Sequence, residues 1–317
     1  MTLKKLIWPM IGAVAIVFSG WLLYHELRGL SLADLSDSLA AIPARGWMLS
    51  GLCTIAAYAA LAGYDRIALI HLERKVPLLF VTVCAFTTYA LSHTIGASVF
   101  SGAVVRYRAY SSRGLTPKEI GVLVAFCSFT FVLGVVLLTG LVLVIDPDIT
   151  ERMGDLLPEG VSMTTGYVLL ALVGFYVAGS WLGLKPLTIG SFRLQYPRLS
   201  VVGRQLIVGP LELLAAAGIA YFALPEAGNP GYIVVLGIFL ISFSVALLSH
   251  APGGVGVLEL VFIAALPEMD PADVLAALLV FRLLYLIIPF LIAIVILLLF
   301  ERSQLSQPDL EGRQEKS

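Results

Sequence analysis

The sequence predicts an all-α polytopic membrane protein with six full spans and two re-entrant helical hairpins in inverted-topology repeats. Of its 317 residues, 59% are hydrophobic and only 13% are charged, whereas soluble proteins carry about 25% charged residues. Long apolar segments recur along the chain, and Lys and Arg are concentrated in certain loops between them. This composition excludes a disordered chain, a nucleic-acid-binding protein and an ordinary soluble enzyme.

Six apolar segments are long enough to cross a hydrocarbon core of about 30 Å as helices. The first, Leu6–Tyr24, follows two lysines like a signal peptide, but no small-residue cleavage site directly follows it, so we interpret it as a retained span. We expect one transmembrane domain over residues 1–302 and a disordered cytoplasmic tail over residues 303–317. The other five spans are Trp47–Ile70, Ile120–Ile145, Gly166–Leu184, Gln205–Leu224 and Asp273–Phe300.

The segment Leu78–Ser98 is also apolar, but the charges around it predict that it does not cross. Basic loops face the cytoplasm, and Lys and Arg lie on both sides of this segment. A hairpin that turns near Ser92–Gly96 and returns through Ala97–Val105 keeps both basic loops on one side. The basic residues are Arg74 and Lys75 before the segment and Arg106, Arg108, Arg113 and Lys118 after it.

A second hairpin is predicted near the C-terminus, entering from the opposite side. Tyr232–Ser249 starts outside, breaks at Ser249–Gly254 and returns through Val255–Leu266, where acidic residues follow. The last span then brings the chain back to the cytoplasm. We therefore expect both termini to be cytoplasmic.

Short motifs relate the two hairpins. Ala90-Leu91-Ser92-His93-x-x-Gly96 resembles Leu247-Leu248-Ser249-His250-x-x-Gly253, and Thr116-Pro117-x-Glu119 resembles Asp270-Pro271-x-Asp273. The second pair of motifs predicts two helix starts, each with a capping residue followed by proline. Together with the opposite sidedness, the motifs indicate repeats over about 47–145 and 205–300, as in many secondary transporters. Chance similarity is the alternative.

Ionisable residues inside the predicted membrane segments are the candidate functional residues, since such groups are costly there. Arginines recognise lipid phosphate by bidentate hydrogen bonds, and acids balance them or bind a cationic headgroup. Alternatively, the charges pair with each other and lock the bundle, or reach the interface as Asp65 with Arg66 could; Arg108 also fits a plain positive-inside anchor. The candidates for lipid binding or translocation are Arg106, Arg108, Glu212, Glu259, Arg282, Asp65 and Arg66.

The predicted helix breaks form a second candidate set. The backbone amides of Pro252–Gly256 could bind an anion at a helix start, or form only a tight turn. The two turn histidines either relay protons or cap the broken helices. We predict no metal site, because the histidines are scattered, no cofactor and no catalytic residue. The break or hinge residues are Ser92, His93, Gly96, Ser249, His250, Pro252, Gly253, Gly254 and Gly256.

The chain resembles the lysylphosphatidylglycerol synthase transmembrane-region family over nearly its whole length, and two stretches carry the resemblance. They are Ser249-His250-Ala251-Pro252-Gly253-Gly254-Val255-Gly256-Val257-Leu258-Glu259, the more specific one, and Gly102-Ala103-Val104-Val105-Arg106-Tyr107-Arg108-Ala109-Tyr110. The family includes small bacterial inner-membrane proteins and the flippase half of the multiple-peptide-resistance factor. The resemblance implies roles for Arg106, Pro252, Gly253, Gly254, Gly256 and Glu259.

The resemblance implies a multi-pass protein of the bacterial cytoplasmic membrane that moves lipid between leaflets, with a membrane phospholipid as its partner. Only 17 residues follow Phe300, so we expect no soluble aminoacyl-transfer domain and no enzymatic lipid synthesis. An intramembrane lipid-modifying enzyme with His250 or Glu259 as base, and a non-transporting scaffold, are the alternatives. A homo-oligomer or an association with a lipid-synthesis protein stays open, and no nucleic acid is expected to bind.

Overall fold

The computed structural model describes residues 32–95, 98–154, 160–183, 187–189, 192–194, 196–249 and 256–305. This part of the chain is helical except for one short ribbon of two strands. The helices are α1 (Leu32–Ala41), α2 (Ala44–His71), α3 (Leu78–Ile95), α4 (Ser98–Ser111), α5 (Pro117–Ile145), α6 (Ile149–Met153), α7 (Met163–Trp181), α8 (Leu199–Ala223), α9 (Tyr232–Ser249), α10 (Val257–Ala265), α11 (Pro271–Phe281), a π-helical segment (Arg282–Ile287) and α12 (Ile288–Leu305). The strands are β1 (Leu187–Ile189) and β2 (Phe192–Leu194).

Five helical segments in the described residues are long and apolar enough to cross a membrane. They are α2, α5, α7, α8 and the continuous segment Pro271–Phe300, and each overlaps one of the predicted spans. The remaining predicted span, Leu6–Tyr24, lies outside the described residues. The fold is therefore that of an all-α membrane protein, as its composition predicts.

The structure differs from the sequence predictions at several boundaries and in one added element. Helix α8 begins at Leu199, six residues before the predicted Gln205, so residues 199–204 also belong to the helix. Helix α12 continues to Leu305, into the segment predicted as tail. The ribbon, in which β1 pairs antiparallel with β2, was not predicted, since strands of three residues are too short to show a period.

Both predicted helix starts are confirmed. The side chain of Thr116 accepts a hydrogen bond from the backbone N–H of Glu119 at 3.3 Å, and the Glu119 carboxylate accepts one from the N–H of Thr116 at 2.8 Å. This reciprocal arrangement is a capping box. The side chain of Asp270 accepts from the N–H of Ala272 at 2.8 Å, with Pro271 in the first turn of α11.

The arms of each predicted hairpin pack against each other, α3 on α4 and α9 on α10. At Gly102 in α4, a Cβ atom would lie 2.7 Å from the Ser92 hydroxyl oxygen, so the missing side chain allows α3 and α4 to approach closely. Ser92 and His93 lie in the last turn of α3, which ends at Ile95. Both residues, which were predicted to lie at the turn, are helical.

The centre of the bundle is formed by α2 and α8, with α5 packed against both. The helices α5 and α8 cross at a pair of glycines, where a Cβ on Gly134 would lie 2.7 Å from the backbone of Gly209. The hydroxyl of Ser50 in α2 donates to the carbonyl of Ile219 in α8 at 2.8 Å. Small residues at a helix contact are typical of membrane bundles. This contact fixes the helices that position the buried charges.

Candidate functional site

An ion pair between Asp65 and Arg106 connects α2 with the second arm of the first hairpin. The guanidinium donates to both carboxylate oxygens, Nη2 to Oδ1 at 2.7 Å and Nε to Oδ2 at 3.2 Å. The side chains are 0% and 6% exposed. Because two parallel hydrogen bonds fix the orientation of both groups, this pair holds α4 against α2.

Two further donors complete the environment of the Asp65 carboxylate. The hydroxyl of Tyr110 in α4 donates to Oδ2 at 2.8 Å, and the thiol of Cys127 in α5 lies 3.5 Å from Oδ1. The Arg106 guanidinium also lies over the ring of Tyr89 in α3, 4.7 Å from its centroid, in a cation–π geometry. The pair therefore links four helices.

A second ion pair, between Glu259 and Arg282, connects the second hairpin with the last long helix. The Nε of Arg282 donates to Glu259 Oε1 at 2.7 Å, and Oε2 of the same carboxylate accepts from the backbone N–H of Gly256 at 2.8 Å. Gly256 has φ +83°, a conformation that glycine adopts at little cost. The Arg282 and Glu259 side chains are 12% and 10% exposed, so this pair is less enclosed than the first.

The arginine of the second pair begins the π-helical segment. Pro289, just beyond the segment, has no N–H, so it cannot supply the i→i−4 bond that the carbonyl of Tyr285 would accept in a regular α-helix. The hydroxyl of Tyr58 in α2 donates to that carbonyl at 2.9 Å. Short π-helical turns often occur at functional sites. The sequence therefore creates an irregular turn here, and α2 stabilises it.

A third buried acid, Glu212, lies in the middle of α8. It is 1% exposed and is about 20 Å from the start of α8 at 1.5 Å per residue. The hydroxyl of Tyr285 donates to Oε1 at 2.6 Å, and that of Tyr64 lies 3.4 Å from Oε2. In the described part of the chain, no Lys, Arg or His nitrogen forms an ion pair with Glu212.

Polar atoms without partners lie beside the first pair. The Ser92 hydroxyl and the His93 Nδ1 are buried and form no hydrogen bond with the described residues. On the same helix, the hydroxyls of Thr87 and Thr88 are also buried without a partner, whereas Thr82 and Thr94 donate to the carbonyls four residues before them. The His93 ring stacks on Tyr285, with 5.4 Å between ring centroids. A buried polar group without a partner costs about 1–3 kcal/mol, which favours a polar ligand or water here.

The structure thus brings five of the seven predicted lipid-binding residues into the bundle and leaves two on its surface. Asp65 is buried and does not reach the interface, whereas its neighbour Arg66 is exposed, as is Arg108. Ser249 ends α9. The predicted break residues Gly96, His250, Pro252, Gly253 and Gly254 lie outside the described residues.

Tyrosines are the site residues that the sequence analysis missed. Tyr58, Tyr64, Tyr110 and Tyr285 each bond a buried acid or the π-helical segment. Tyrosine is also enriched at membrane interfaces, so its presence alone does not indicate a buried site. Tyr64 beside Asp65, and Tyr285 three residues after Arg282, could have been found by their distance from the span ends.

Comparison with known proteins identifies two relatives that are about 30% identical over most of this chain. No family profile matches the chain. An uncharacterised protein of Synechocystis, slr0712, is 31% identical over 233 residues, which cover 73% of this chain and 72% of that protein. The inner membrane protein YbhN of Escherichia coli K12 is 30% identical over 247 residues, covering 75% and 74%.

A more distant relative carries an enzyme name. The phosphatidylglycerol lysyltransferase of Staphylococcus haemolyticus is 26% identical over 309 residues, which cover 93% of this chain but 34% of that protein. The likeness therefore concerns one part of the lysyltransferase. The apolar helices and the similarity to YbhN indicate a multi-pass inner membrane protein. The chain belongs to the membrane-protein family that includes slr0712 and YbhN.

Proposed function

We propose that the protein moves a phospholipid or a related amphiphile between the two leaflets of the bacterial cytoplasmic membrane. The observation that supports this most is the pairing of buried carboxylates and guanidiniums between the hairpin arms and the long helices, at Asp65–Arg106 and Glu259–Arg282. Ionisable groups in a membrane domain are costly and usually functional.

The chemistry of these pairs suits a phospholipid headgroup. A phosphate can replace a carboxylate as the bidentate acceptor of a guanidinium, and a headgroup amine can replace the guanidinium beside the acid. A pair that opens for a headgroup exchanges one set of charge-assisted bonds for another. The headgroup can thus enter the bundle without leaving a charge uncompensated.

The hairpins give the proposal its geometry. We propose that α3–α4 enters from the cytoplasmic leaflet and α9–α10 from the outer one, in two inverted repeats with both termini cytoplasmic. In a cysteine-free background, Ser112→Cys and Pro267→Cys place single thiols at exposed positions just beyond each returning arm. An impermeant maleimide should label Ser112→Cys from the cytoplasm only and Pro267→Cys from outside only. Labelling of both from one side contradicts the inverted arrangement.

Transport is tested in proteoliposomes that contain fluorescent phosphatidylglycerol or phosphatidylethanolamine. Dithionite, which does not cross the bilayer, reduces only the outer-leaflet fluorophore. We expect wild-type protein to expose inner-leaflet lipid and the paired variant Glu259→Gln/Arg282→Gln to slow this exposure at least tenfold. Arg198→Gln is the matched control, because Arg198 is 81% exposed in a surface pair with Glu73. Equal rates for all three proteins contradict the proposal.

The same vesicles distinguish a transporter from a lipid-modifying enzyme. The relative named a lysyltransferase makes this comparison necessary. We expect the lipid extracted after the assay to migrate unchanged on thin-layer chromatography. A new lipid species that requires the protein would favour the enzyme instead.

A further inference from the structure

Glu212 differs from the other buried acids in having no positive partner. The described residues contain three buried carboxylates, Asp65, Glu212 and Glu259. Two of them form ion pairs with arginines, whereas Glu212 contacts two tyrosine hydroxyls. An ionised carboxylate without a counter-charge is costly to bury, and protonation is the usual response. The geometry around Glu212 should therefore accommodate both of its protonation states.

The hydroxyl of Tyr64 is placed to accommodate both. It lies 3.4 Å from the backbone carbonyl of Gly209 and 3.4 Å from Oε2 of Glu212. When Glu212 is ionised, the Tyr64 hydroxyl donates to Oε2. When a proton binds to Oε2, that proton is donated to the Tyr64 oxygen, and the tyrosine's own proton turns to the Gly209 carbonyl. Only hydrogen-bond directions change, and no polar atom loses its partner.

Among the described residues, the other groups around Glu212 supply no unmatched positive charge. From α2, the hydroxyl of Tyr58 donates to the backbone carbonyl of Tyr285. From α3, the His93 ring stacks on Tyr285. From the π-helical segment, Tyr285 donates to Oε1. The charge of Arg106 is matched by Asp65. The remaining titratable neighbours of Tyr64 are Tyr89 in α3 and Cys127 in α5, which are uncharged in their protonated forms.

Glu212 is also connected to the second ion pair. Tyr285, which donates to Oε1, lies three residues after Arg282 in the same π-helical segment. A movement of that segment that opens the Glu259–Arg282 pair must also move the Tyr285 hydroxyl. Loss of that donor makes the ionised form of Glu212 more costly, because a carboxylate depends on its donors when buried. Proton uptake and opening of the pair are therefore mechanically coupled.

We infer that Glu212 takes up and releases a proton in each transport cycle, so that lipid movement is driven by a proton gradient. This inference rests on the proposed function for its lipid but not for its proton site. The proton reaches Oε2 from one side of the membrane and leaves the same atom to the other side. Tyr64 and Tyr285 are positioning residues.

The proton site is tested first without transport. Infrared spectra of reconstituted protein recorded across a pH titration should contain a carboxylic-acid band that disappears as Glu212 loses its proton. Glu212→Gln should abolish this band, whereas Glu226→Gln, at an exposed acid in a loop, should retain it. If Glu212→Gln does not fold, Tyr64→Phe serves: without the tyrosine donor the band should persist to higher pH. A titration that is identical in wild type and in every folded variant overturns the inference.

Coupling is tested by imposing a pH gradient on the lipid assay. For one proton per lipid, a gradient of one pH unit should change the ratio of lipid between leaflets by up to about tenfold. Glu212→Gln should remove the effect of the gradient. Lipid movement that ignores the gradient in wild type overturns the inference and leaves the proposed function intact. An acid band that depends on Glu212, without any lipid movement, supports the proton site and contradicts the proposed function.

Discussion

The two hairpins each carry one buried ion pair, but the signs of the charges are exchanged. In the first hairpin the base, Arg106, lies on the returning arm and binds an acid on the preceding long helix. In the second the acid, Glu259, lies on the returning arm and binds a base on the following long helix. What the hairpins share is a charged bond between the returning arm and a long helix.

The pairs also differ in how firmly they are held. The Asp65 carboxylate accepts both guanidinium bonds and a tyrosine hydroxyl, with side-chain exposures of 0% and 6%. The Glu259–Arg282 pair is 10% and 12% exposed and starts at an irregular turn. We therefore expect the first pair to hold the first hairpin closed and the second pair to open for a ligand. The predictions below test this division.

The largest effect on stability is expected for Arg106→Gln. It leaves the Asp65 carboxylate buried without its counter-charge, and breaking a buried pair in this way costs about 3–5 kcal/mol. The double variant Asp65→Asn/Arg106→Gln should recover most of that loss, since no charge then remains buried. Reversible unfolding in mixed micelles measures both. An Arg106→Gln protein as stable as wild type would show that the first pair does not lock the hairpin.

Arg282→Gln should destabilise the protein less, by about 2 kcal/mol, because its partner Glu259 keeps the bond from the Gly256 amide and is less enclosed. Its lipid movement should nevertheless fall at least tenfold in the dithionite assay, since the headgroup loses its guanidinium. Losses of stability equal to those of Arg106→Gln would contradict the division between the two pairs.

The comparison also separates what sequence could predict from what it could not. The lengths of apolar segments predicted the five long helices, and the rarity of charge in and beside the predicted membrane segments singled out Asp65, Arg106, Glu212, Glu259 and Arg282. The pairings were not predictable. Asp65 and Arg106 are 41 residues apart and Glu259 and Arg282 are 23 apart, and helix rotation and crossing decide which charges meet.

The irregular turn in the last span illustrates the same limit. Pro289 is visible in the sequence, and a proline inside a helix always leaves one carbonyl without its donor. That rule identifies the carbonyl of Tyr285, but it does not identify the donor that replaces the missing N–H. Tyr58 lies 227 residues away in the sequence. Only the packing of α2 against the last span brings it there.

Tyr58→Phe should cost about 1 kcal/mol, because it removes the hydrogen bond from the hydroxyl to the carbonyl of Tyr285. In a Pro289→Ala background the restored N–H can take the place of the hydroxyl, and the cost should fall to a few tenths of that value. The coupling energy from this double-mutant cycle measures how far α2 stabilises the π-helical segment. An equal cost in both backgrounds would mean that the hydroxyl does not serve that carbonyl.

The smallest effect is expected outside the bundle, where Arg152 at the end of α6 lies 2.8 Å from the carboxylate of Glu268, just after the second hairpin. The hydrogen bond from Arg152 lowers the pKa of Glu268 below its ordinary value. A lowered pKa in the folded state means that the pair stabilises the protein above the unfolded-state pKa of about 4.3 and that this contribution is lost as the pH falls through the folded-state pKa. Because the Glu268 side chain is 46% exposed, the contribution is only about 0.2–1 kcal/mol.

Melting temperatures of wild type and Glu268→Gln should differ slightly at pH 7 and converge in acid. A difference that grows in acid would show that Arg152 does not stabilise the ionised carboxylate.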